Sequence, residues 1–597
     1  MPRININEKD RTSPGTPGGY SNNTVLIAGF SAYTEEEIKA NAKAVQADDN
    51  GIFEFESSDD FAATIGLVAP TIHKTTDEDN ILDDELPVHY GNQMAYELLK
   101  MGYPIIYINL GVPYNTKDEE GKELDTPEII AAKAMKKLGE ASTWEIFKDK
   151  ASYDFRFVSH GLLTSSEFAK TDDLVSLEKL VAKMRTFLPV EVVIQKVVEK
   201  DADGKEVIDE DGNKVLRDES EDEAKVRIYE EAKAIETLYV DNTSTKEERK
   251  IIKYSDKFIT RAGDYAAAVE FIEAKEKEIA DTLVALNTNN FTETDFAAAN
   301  TAIAKLAHYK AITASDGTED EMDPASGRGD CVALIEVDES KYISGEGRPE
   351  NRIVNAINEM ADINADNGKY CACTVPSVVY KMTADERFDG NKKFPGAFHY
   401  LACFDNSLGL GFAEWYAAAG YTRGVSSYII DNTTVKLGEV AIQALEPRNI
   451  KDQSAQPKFA VNVIANFRGS YYLWGNRTCH PLGDAKGGND LVASHFLNIR
   501  QLCTTIKKQL YVSCRRFTFD PNSDVLWINF KNSITPMLDR MKADQGVRDY
   551  KIEKVYTDKK ATLKAKIRIV PIEAVEDFLL EVSLEDSLGE TAVTIAE

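Results

Sequence analysis

The clearest alternation of apolar and polar positions lies near the end of the chain. Leu563, Ala565, Ile567 and Ile569 alternate with Lys564, Lys566 and Arg568, which predicts a half-buried strand across 561–570. Upstream, Ile499, Cys503, Ile506 and Leu510 recur every three to four residues, the spacing of an amphipathic helix that Ser494 can cap. A short strand is expected at 515–519, then a turn at Asp520, Pro521 and Asn522. Leu526, Phe530, Ile534, Leu538 and Met541 mark one face of a second helix. Pro536 should kink it and Gly546 should end it in the left-handed conformation. Pro571 is placed to open a last helix carrying Ile572, Val575 and Leu579.

Earlier in the chain, 24–30 and 104–111 read as buried strands. Between them, 90–100 reads as a helix with Met94, Leu98 and Leu99 inward and Gly102 beyond its end. Strand, helix and strand in that order imply a mostly parallel sheet with covering helices. The character changes at 112–327, which is rich in Glu, Lys and Ala. Short strands joined by Asp-Gly turns are expected at 191–220, and amphipathic helices at 265–286 and 295–312. This span is expected to be an insertion, since closing a long loop adds little entropy when its ends lie close. The α/β pattern resumes with a strand at 328–338, a helix at 353–363, a strand at 369–377 and a helix at 410–419.

The expected fold class is therefore α/β (α+β) and multidomain. The divisions are an N-terminal arm at 1–22, a first core part at 23–111, the insertion at 112–327, a second core part at 328–460, a C-terminal domain at 461–583 and a C-terminal arm at 584–597. Ile4 and Ile6 alternate in the first arm; Thr591, Val593 and Ile595 alternate in the last. Neither arm has enough apolar surface to fold against itself, yet each can add a strand to an exposed sheet edge.

Composition narrows the function classes. A net charge of −30 over 597 residues repels phosphate backbones and argues against nucleic-acid binding. No apolar run approaches the ~20 residues that span a bilayer, and the first residues lack the apolar centre of a secretory signal. Retention in the cytoplasm until assembly is expected. Seven cysteines in a chain of this length form no disulfide framework.

Candidate chemistry is sparse. Glu199, Asp201, Asp203, Gly204 and Glu210 nearly spell a calcium loop, but the first position is Glu, Glu206 replaces an apolar residue and the flanks read as strands. Cys371, Cys373, His399 and Cys403 fit no standard zinc spacing, and core packing explains them better. Arg328-Gly329-Asp330 spells an adhesion tripeptide directly before a buried strand. Ser159 and His160 lack a third partner for a triad. No catalytic, cofactor or metal site is expected.

Four ordered pieces carry a family resemblance: GSYYLWGNRT (469–478), LNIRQLCTTIKKQL (497–510), FTFDPNSDVLWINFKNSITPMLDRMKADQG (517–546) and KIRIVPIEAVEDFLLEV (566–582). They resemble the C-terminal domain of contractile-tail sheath proteins of bacteriophages and related injection machines. AGYTRGVSSY (419–428) resembles a turn of the same family. The resemblance covers about 1–111 and 328–597. It implies a structural subunit that polymerises as stacked hexameric rings around a tail tube. Contraction of the rings would drive the tube through a host envelope without nucleotide or cofactor. It implies further copies, the tube protein, and baseplate and tail terminator proteins as partners, with no nucleic acid and no membrane contact by this subunit. It places the protein in the virion tail after assembly in the host cytoplasm. The insertion would lie outside, the arms would join neighbouring subunits, and the C-terminal domain would face the tube. Its concentrated basic residues, Arg500, Lys507, Lys508, Arg515, Arg516, Lys564, Lys566 and Arg568, are then candidates for contact with the tube or a neighbour's acidic arm. An α/β enzyme with an acidic insertion, or a non-contractile surface or adhesin protein, are the alternatives.

Overall fold

The computed structural model describes residues 23–68, 89–112, 127–163, 194–227 (without 210 and 225), 273, 277, 280, 291–381 (without 310, 314–318, 323–325, 361–362 and 364), 392–447, 457–481, 492–556 and 562–574. The fold is mixed α/β and multidomain. Its centre is an eight-stranded sheet. In chain order the strands are β1 (Val25–Gly29), β2 (Ile52–Phe55), β3 (Ile105–Asn109), β4 (Phe157–Ser159), β5 (Val332–Ile335), β6 (Cys371–Val375), β7 (Asn462–Phe467) and β8 (Ser470–Trp474). Across the sheet they run β8-β7-β6-β5-β4-β1-β3-β2. The six inner strands are parallel, while β8 and β2 pair antiparallel at the two edges.

Parallel strands are covered on both faces, so their apolar runs are continuous and alternate residues enter different cores. Leu26, Ala28, Val158, Ala333, Ile335, Cys371 and Cys373 face one core. The helices α2 (Pro127–Lys136), α3 (Glu293–Ala307) and α4 (Pro349–Glu359) cover it, with Met135, Ile303 and Ile353 among the contributors. Val25, Ile27, Phe157, Val332, Leu334 and Ala372 face the other. There α1 (Gly91–Lys100) and α5 (Gly396–Gly409) contribute Met94, Leu98, Phe398 and Leu401. A small antiparallel sheet of Val378–Lys381, Lys392–Phe394 and Ile429–Thr433 lies beside α5.

The C-terminal unit consists of α6 (Leu497–Arg516), α7 (Asp524–Ala543) and a two-stranded antiparallel ribbon, β9 (Val547–Val555) with β10 (Lys564–Pro571). The buried residues of α7 are Leu526, Phe530, Ile534, Leu538 and Met541, the face its periodicity predicts. A separate core joins Leu502, Ile506, Leu538, Met541 and Val547 with Trp415, and Ile567 and Ile569 of β10 pack on it.

Five local expectations are corrected. Ser494 does not cap α6; it lies in a short turn with its hydroxyl 2.9 Å from His480 Nδ1, and α6 starts after Phe496, which bridges to Arg477. Residues 515–519 are not a strand, because α6 continues through Arg516. The left-handed residue after α7 is Gln545, at φ 58°, rather than Gly546. Gly546 is needed for space instead, since an added Cβ would lie 2.7 Å from Trp415 Nε1. Residues 410–419 are not helical: α5 has just ended and Gly411 takes a φ of 87°. Pro571 does not open a helix: it closes β10 opposite Val547 and 572–574 are not helical, while the rest of that helix lies outside the described residues, as do 265–272, 274–276, 278, 279 and 281–286.

The expected insertion is also narrower than 112–327. β4 sits at the centre of the sheet between β1 and β5, while α2 and α3 belong to the main core. Of the described residues within 112–327, only the hairpins around 194–227 and the small pair Ala311–Thr313 with Glu319–Met322 form sheets apart from it. Replacing 112–327 with a linker would remove a central strand.

Tight approach between elements gives a first prediction. A Cβ at Gly91 would lie 1.7 Å from the carbonyl oxygen of Ala28, and Gly161 abuts Gly91 from the other side. Gly91→Ala is expected to push α1 away from β1 and destabilise the protein by about 1–3 kcal/mol. Gly438→Ala has open space and should change stability far less. Urea unfolding of the two variants checks the order.

Candidate functional site

In open α/β sheets, ligands bind beyond the carboxyl ends of the strands where strand order reverses. Here that position lies beyond β1 and β4, and packed side chains occupy it. His89 stacks edge-on against Phe30 at 5.3 Å, and its Nδ1 accepts the N–H of Gly91 at the start of α1. His160 Nε2 lies 2.9 Å from Asn300 Oδ1, and its Nδ1 accepts the N–H of Leu162. Burial pushes both imidazoles down, His89 to about 3 with a further push from His160, and His160 to about 4. Ser159 Oγ accepts the N–H of Gly161, so Ser159 and His160 face different partners and make no nucleophile pair. At the next helix start, the place where many folds seat an anion, Glu336 accepts the N–H of Ala397 at 2.8 Å. Burial raises the pKa of Glu336 well above the usual carboxylate range. Glu339 pairs with Lys393 and accepts from Ser377.

The other sequence candidates also resolve into structure. Cys371 and Cys373 face one core, whereas Cys403 faces the other with His399 beside it, so the four are not brought to one site. Asp201 Oδ1 accepts the N–H groups of Asp203 and Lys205, and Gly204 takes a φ of 79°, so the calcium-like run is a hairpin turn. Among the described residues no group of three or more His, Cys, Asp or Glu can hold a metal ion, and no helix is long and apolar enough to cross a membrane. Arg328 and Asp330 are buried and paired at 2.9 Å. The guanidinium also donates to the carbonyls of Phe147 and Tyr153 and stacks over Phe155. That tripeptide offers no adhesive surface.

The C-terminal unit sits at the opposite end of the sheet. α6 packs against the residues that enter β4, β5 and β6, and its polar face makes the joint. Arg156 donates to Gln501 Oε1 at 3.1 Å and to Thr505 Oγ1 at 3.0 Å. Arg500 stacks over Tyr370 at 4.3 Å. Lys507 donates to the carbonyl of Gly329 at 2.8 Å and lies over Tyr309 and Tyr370. Burial, helped by Arg500, brings its amine down to about 8. Lys508 pairs with Asp154 and donates to the carbonyl of Phe155. Arg500, Lys507 and Lys508 are thus taken up inside the protein, which corrects their expected role on an outer surface. The periodicity shows a polar face but cannot show that the end of the sheet covers it.

The other basic candidates stay outside. Arg515 and Arg516 are exposed in the last turn of α6. Lys566 and Arg568 are exposed on the ribbon, flanking Glu553, with Arg568 Nη2 3.2 Å from its carboxylate; Lys564 is half-buried. Ile4, Ile6, Thr591, Val593 and Ile595 lie outside the described residues.

Pattern reading missed the far tip of this unit. Phe519, 97% exposed, and Tyr556, 89% exposed, flank the turn that joins α6 to α7 and the end of the ribbon. Asn522 Nδ2 donates to the carbonyl of Thr562, and Lys554 pairs with Asp524 at 2.8 Å, which ties turn, helix and ribbon together. The turn at Asp520, Pro521 and Asn522 is as expected, but assigning 515–519 to a strand hid the exposure of Phe519. The run of aromatic, Asp, Pro and Asn residues at 517–522 was the available signal.

No family model matches the chain, and no curated protein matches it. Among solved structures it is similar to a chain of the anti-feeding prophage (AFP) baseplate, 14% identical, with a TM-score of 0.33 over 50% of this chain and 67% of that one. It is also similar to a chain of the PVC sheath complex of an extracellular contractile injection system in the contracted state, 14% identical, with a TM-score of 0.32 over 44% of this chain and 66% of that one.

Proposed function

We propose that the chain is the structural subunit of a contractile tail sheath, most simply of a bacteriophage, polymerising as stacked hexameric rings around a tail tube. The observation that carries this reading is where the resembling sequence pieces fall. Residues 469–478 hold β8 and the segment leading from it. Residues 497–510 lie in α6, 517–546 hold the turn and α7, and the described part of 566–582 begins in β10. The pieces are consecutive parts of one continuous run rather than scattered matches. Contraction would release energy stored in a metastable assembly, so the reading assigns the chain no reaction and no cofactor. Tube, baseplate and terminator proteins would be its partners in the virion.

The ribbon adds physical support. Among the described residues β9 and β10 pair only with each other, so each has one long edge without a strand partner. Such an edge accepts an extended segment through main-chain hydrogen bonds, which persist when subunits reorient. The arms at 1–22 and 584–597 are the segments assigned to these edges. Lys566 and Arg568, with Lys564 beside them, remain candidates for contact with the tube or with an arm carrying Glu585, Asp586 and Glu590.

Electron microscopy of the purified protein tests the reading. Long hollow cylinders are expected from the parent, and a folded, soluble protein without cylinders from a chain lacking 586–597. A small closed oligomer from the parent would overturn the sheath assignment. Cylinders from the truncated chain would overturn the role of the C-terminal arm.

A further inference from the structure

Charge is divided along this chain. Residues 497–574 hold sixteen Lys and Arg against eight Asp and Glu, while the remainder holds 54 against 92. A protein with a basic unit and an acidic body can bind its own copies head to tail, because each carries both complementary surfaces. Two surfaces fit those roles.

The first is the tip of the C-terminal unit. Phe519 adopts a φ of 76°, which bulky residues rarely take, and projects into solvent. Val525 and Ile528 are exposed on the following helix α7 and Tyr556 at the end of β9, and Arg515 and Arg516 lie at the end of α6. Asp520 is exposed in the same turn, whereas Asp524 is held by Lys554. An apolar centre flanked by arginines is the composition of a protein–protein contact.

The second surface lies around the edge strand β2. Glu35, Glu36, Glu37, Asp48, Asp49, Glu54, Glu56, Asp59 and Asp60 are all exposed there, with Lys39 and Lys43 as the opposing charges between residues 34 and 60. The short helices on either side, Glu35–Ala40 and Ser58–Thr64, are joined by Asn41 Nδ2 donating to the carbonyl of Ala63. Tyr33, 41% exposed, supplies an apolar contact beside them.

We propose that the tip formed by Arg515, Arg516 and Phe519 docks on the acidic β2 edge of a second copy of this chain. The two surfaces are different patches, so the contact is heterologous and propagates rather than closing as a two-fold dimer. It rests on the reading above in taking a second copy as the partner.

Sedimentation of the purified full chain over a range of salt and protein concentration tests the contact. Chains lacking 586–597 are run alongside, so that arm exchange is separated from this contact. Association that weakens as salt rises is expected, weakened at least tenfold by R515E/R516E and reduced by F519A. Adding E36R/D60R to R515E/R516E reverses both surfaces in one chain and should restore association. Circular dichroism confirms that each variant is folded. Association of R515E/R516E equal to the parent's would overturn the proposal, as would failure of the reversed pair to rescue. Absence of self-association, with R515E/R516E losing attachment to the tube instead, would assign the tip to the tube and overturn it as well. Failure of the sheath reading is seen separately, as the absence of cylinders from the untruncated parent.

Discussion

Reversing Lys507 and Lys508 to Glu is expected to unfold the junction between the C-terminal unit and the sheet, rather than to weaken a surface contact. Lys508 is buried against Asp154 and the carbonyl of Phe155, and Asp330 is close enough to both lysines to affect their titration. Glutamates at these positions would place new negative charge beside those carboxylates and leave the two carbonyls without donors. Removing one partner of a fully buried pair costs about 3–5 kcal/mol; Asp154 is 38% exposed, so the loss of this pair costs less, and installing a like charge adds to it. Urea unfolding followed by tryptophan fluorescence includes the junction, since Trp415, one of four tryptophans, packs on Leu502 and Ile506 and its indole N–H donates to the carbonyl of Asp544. K507E/K508E should unfold at a much lower urea concentration or fail to accumulate as soluble protein. R515E/R516E, on the exposed last turn, should stay within about 0.5 kcal/mol of the parent. An unchanged midpoint for K507E/K508E would show that the lysines do not hold the joint.

The same helix shows how far pattern carries. Of its expected stripe, Ile506 enters the core with α7 and the ribbon and Leu510 packs against it, while Cys503 is half-buried and Leu502, outside that stripe, joins the core. Its other face, with Arg500, Gln501, Thr504, Thr505 and Lys508, reads as solvated, yet all five residues are buried. Periodicity separates polar from apolar faces and cannot report a second partner that is itself polar. The inner strands were legible where burial on both faces made an apolar run, as in β1, β3, β5 and β6. β4 was missed because only Phe157, Val158 and Ser159 form it, between the buried polar residues Arg156 and His160. That omission widened the expected insertion. Among the candidate site residues, Arg515, Arg516, Lys566 and Arg568 lie on the surface. The tip around Phe519 was not recognised, because an exposed aromatic residue has no periodic signature.

Acid should weaken the fold through three buried imidazoles before general carboxylate protonation begins. Burial pushes His89 down to about 3, His160 to about 4 and His399 to about 3. In the unfolded chain each titrates near its ordinary value of about 6.5. Between these values the unfolded state binds more protons, so stability falls as pH drops from about 6.5 towards 4. Each histidine then costs about 2 kcal/mol at pH 5. The groups facing them offer no compensating negative charge: Phe30 and the Gly91 N–H at His89, Asn300 and Phe296 at His160, Tyr380 and Cys403 at His399. Two carboxyls work in the opposite direction. Burial raises Asp405 to about 6 and lifts Glu336 well above the usual carboxylate range, so their folded forms take up protons earlier than the unfolded chain does. The three imidazoles outweigh these carboxyls, so stability falls between pH 7 and pH 4.5. Thermal and urea unfolding at pH 7, 6, 5 and 4.5 measures it. His160→Gln retains groups able to meet Asn300 and the Leu162 N–H and removes the titration. It should flatten the decline by about 2 kcal/mol at pH 5. A parent equally stable at pH 7 and pH 5, or a His160→Gln variant with the parent's slope, would show that these imidazoles do not control the acid response.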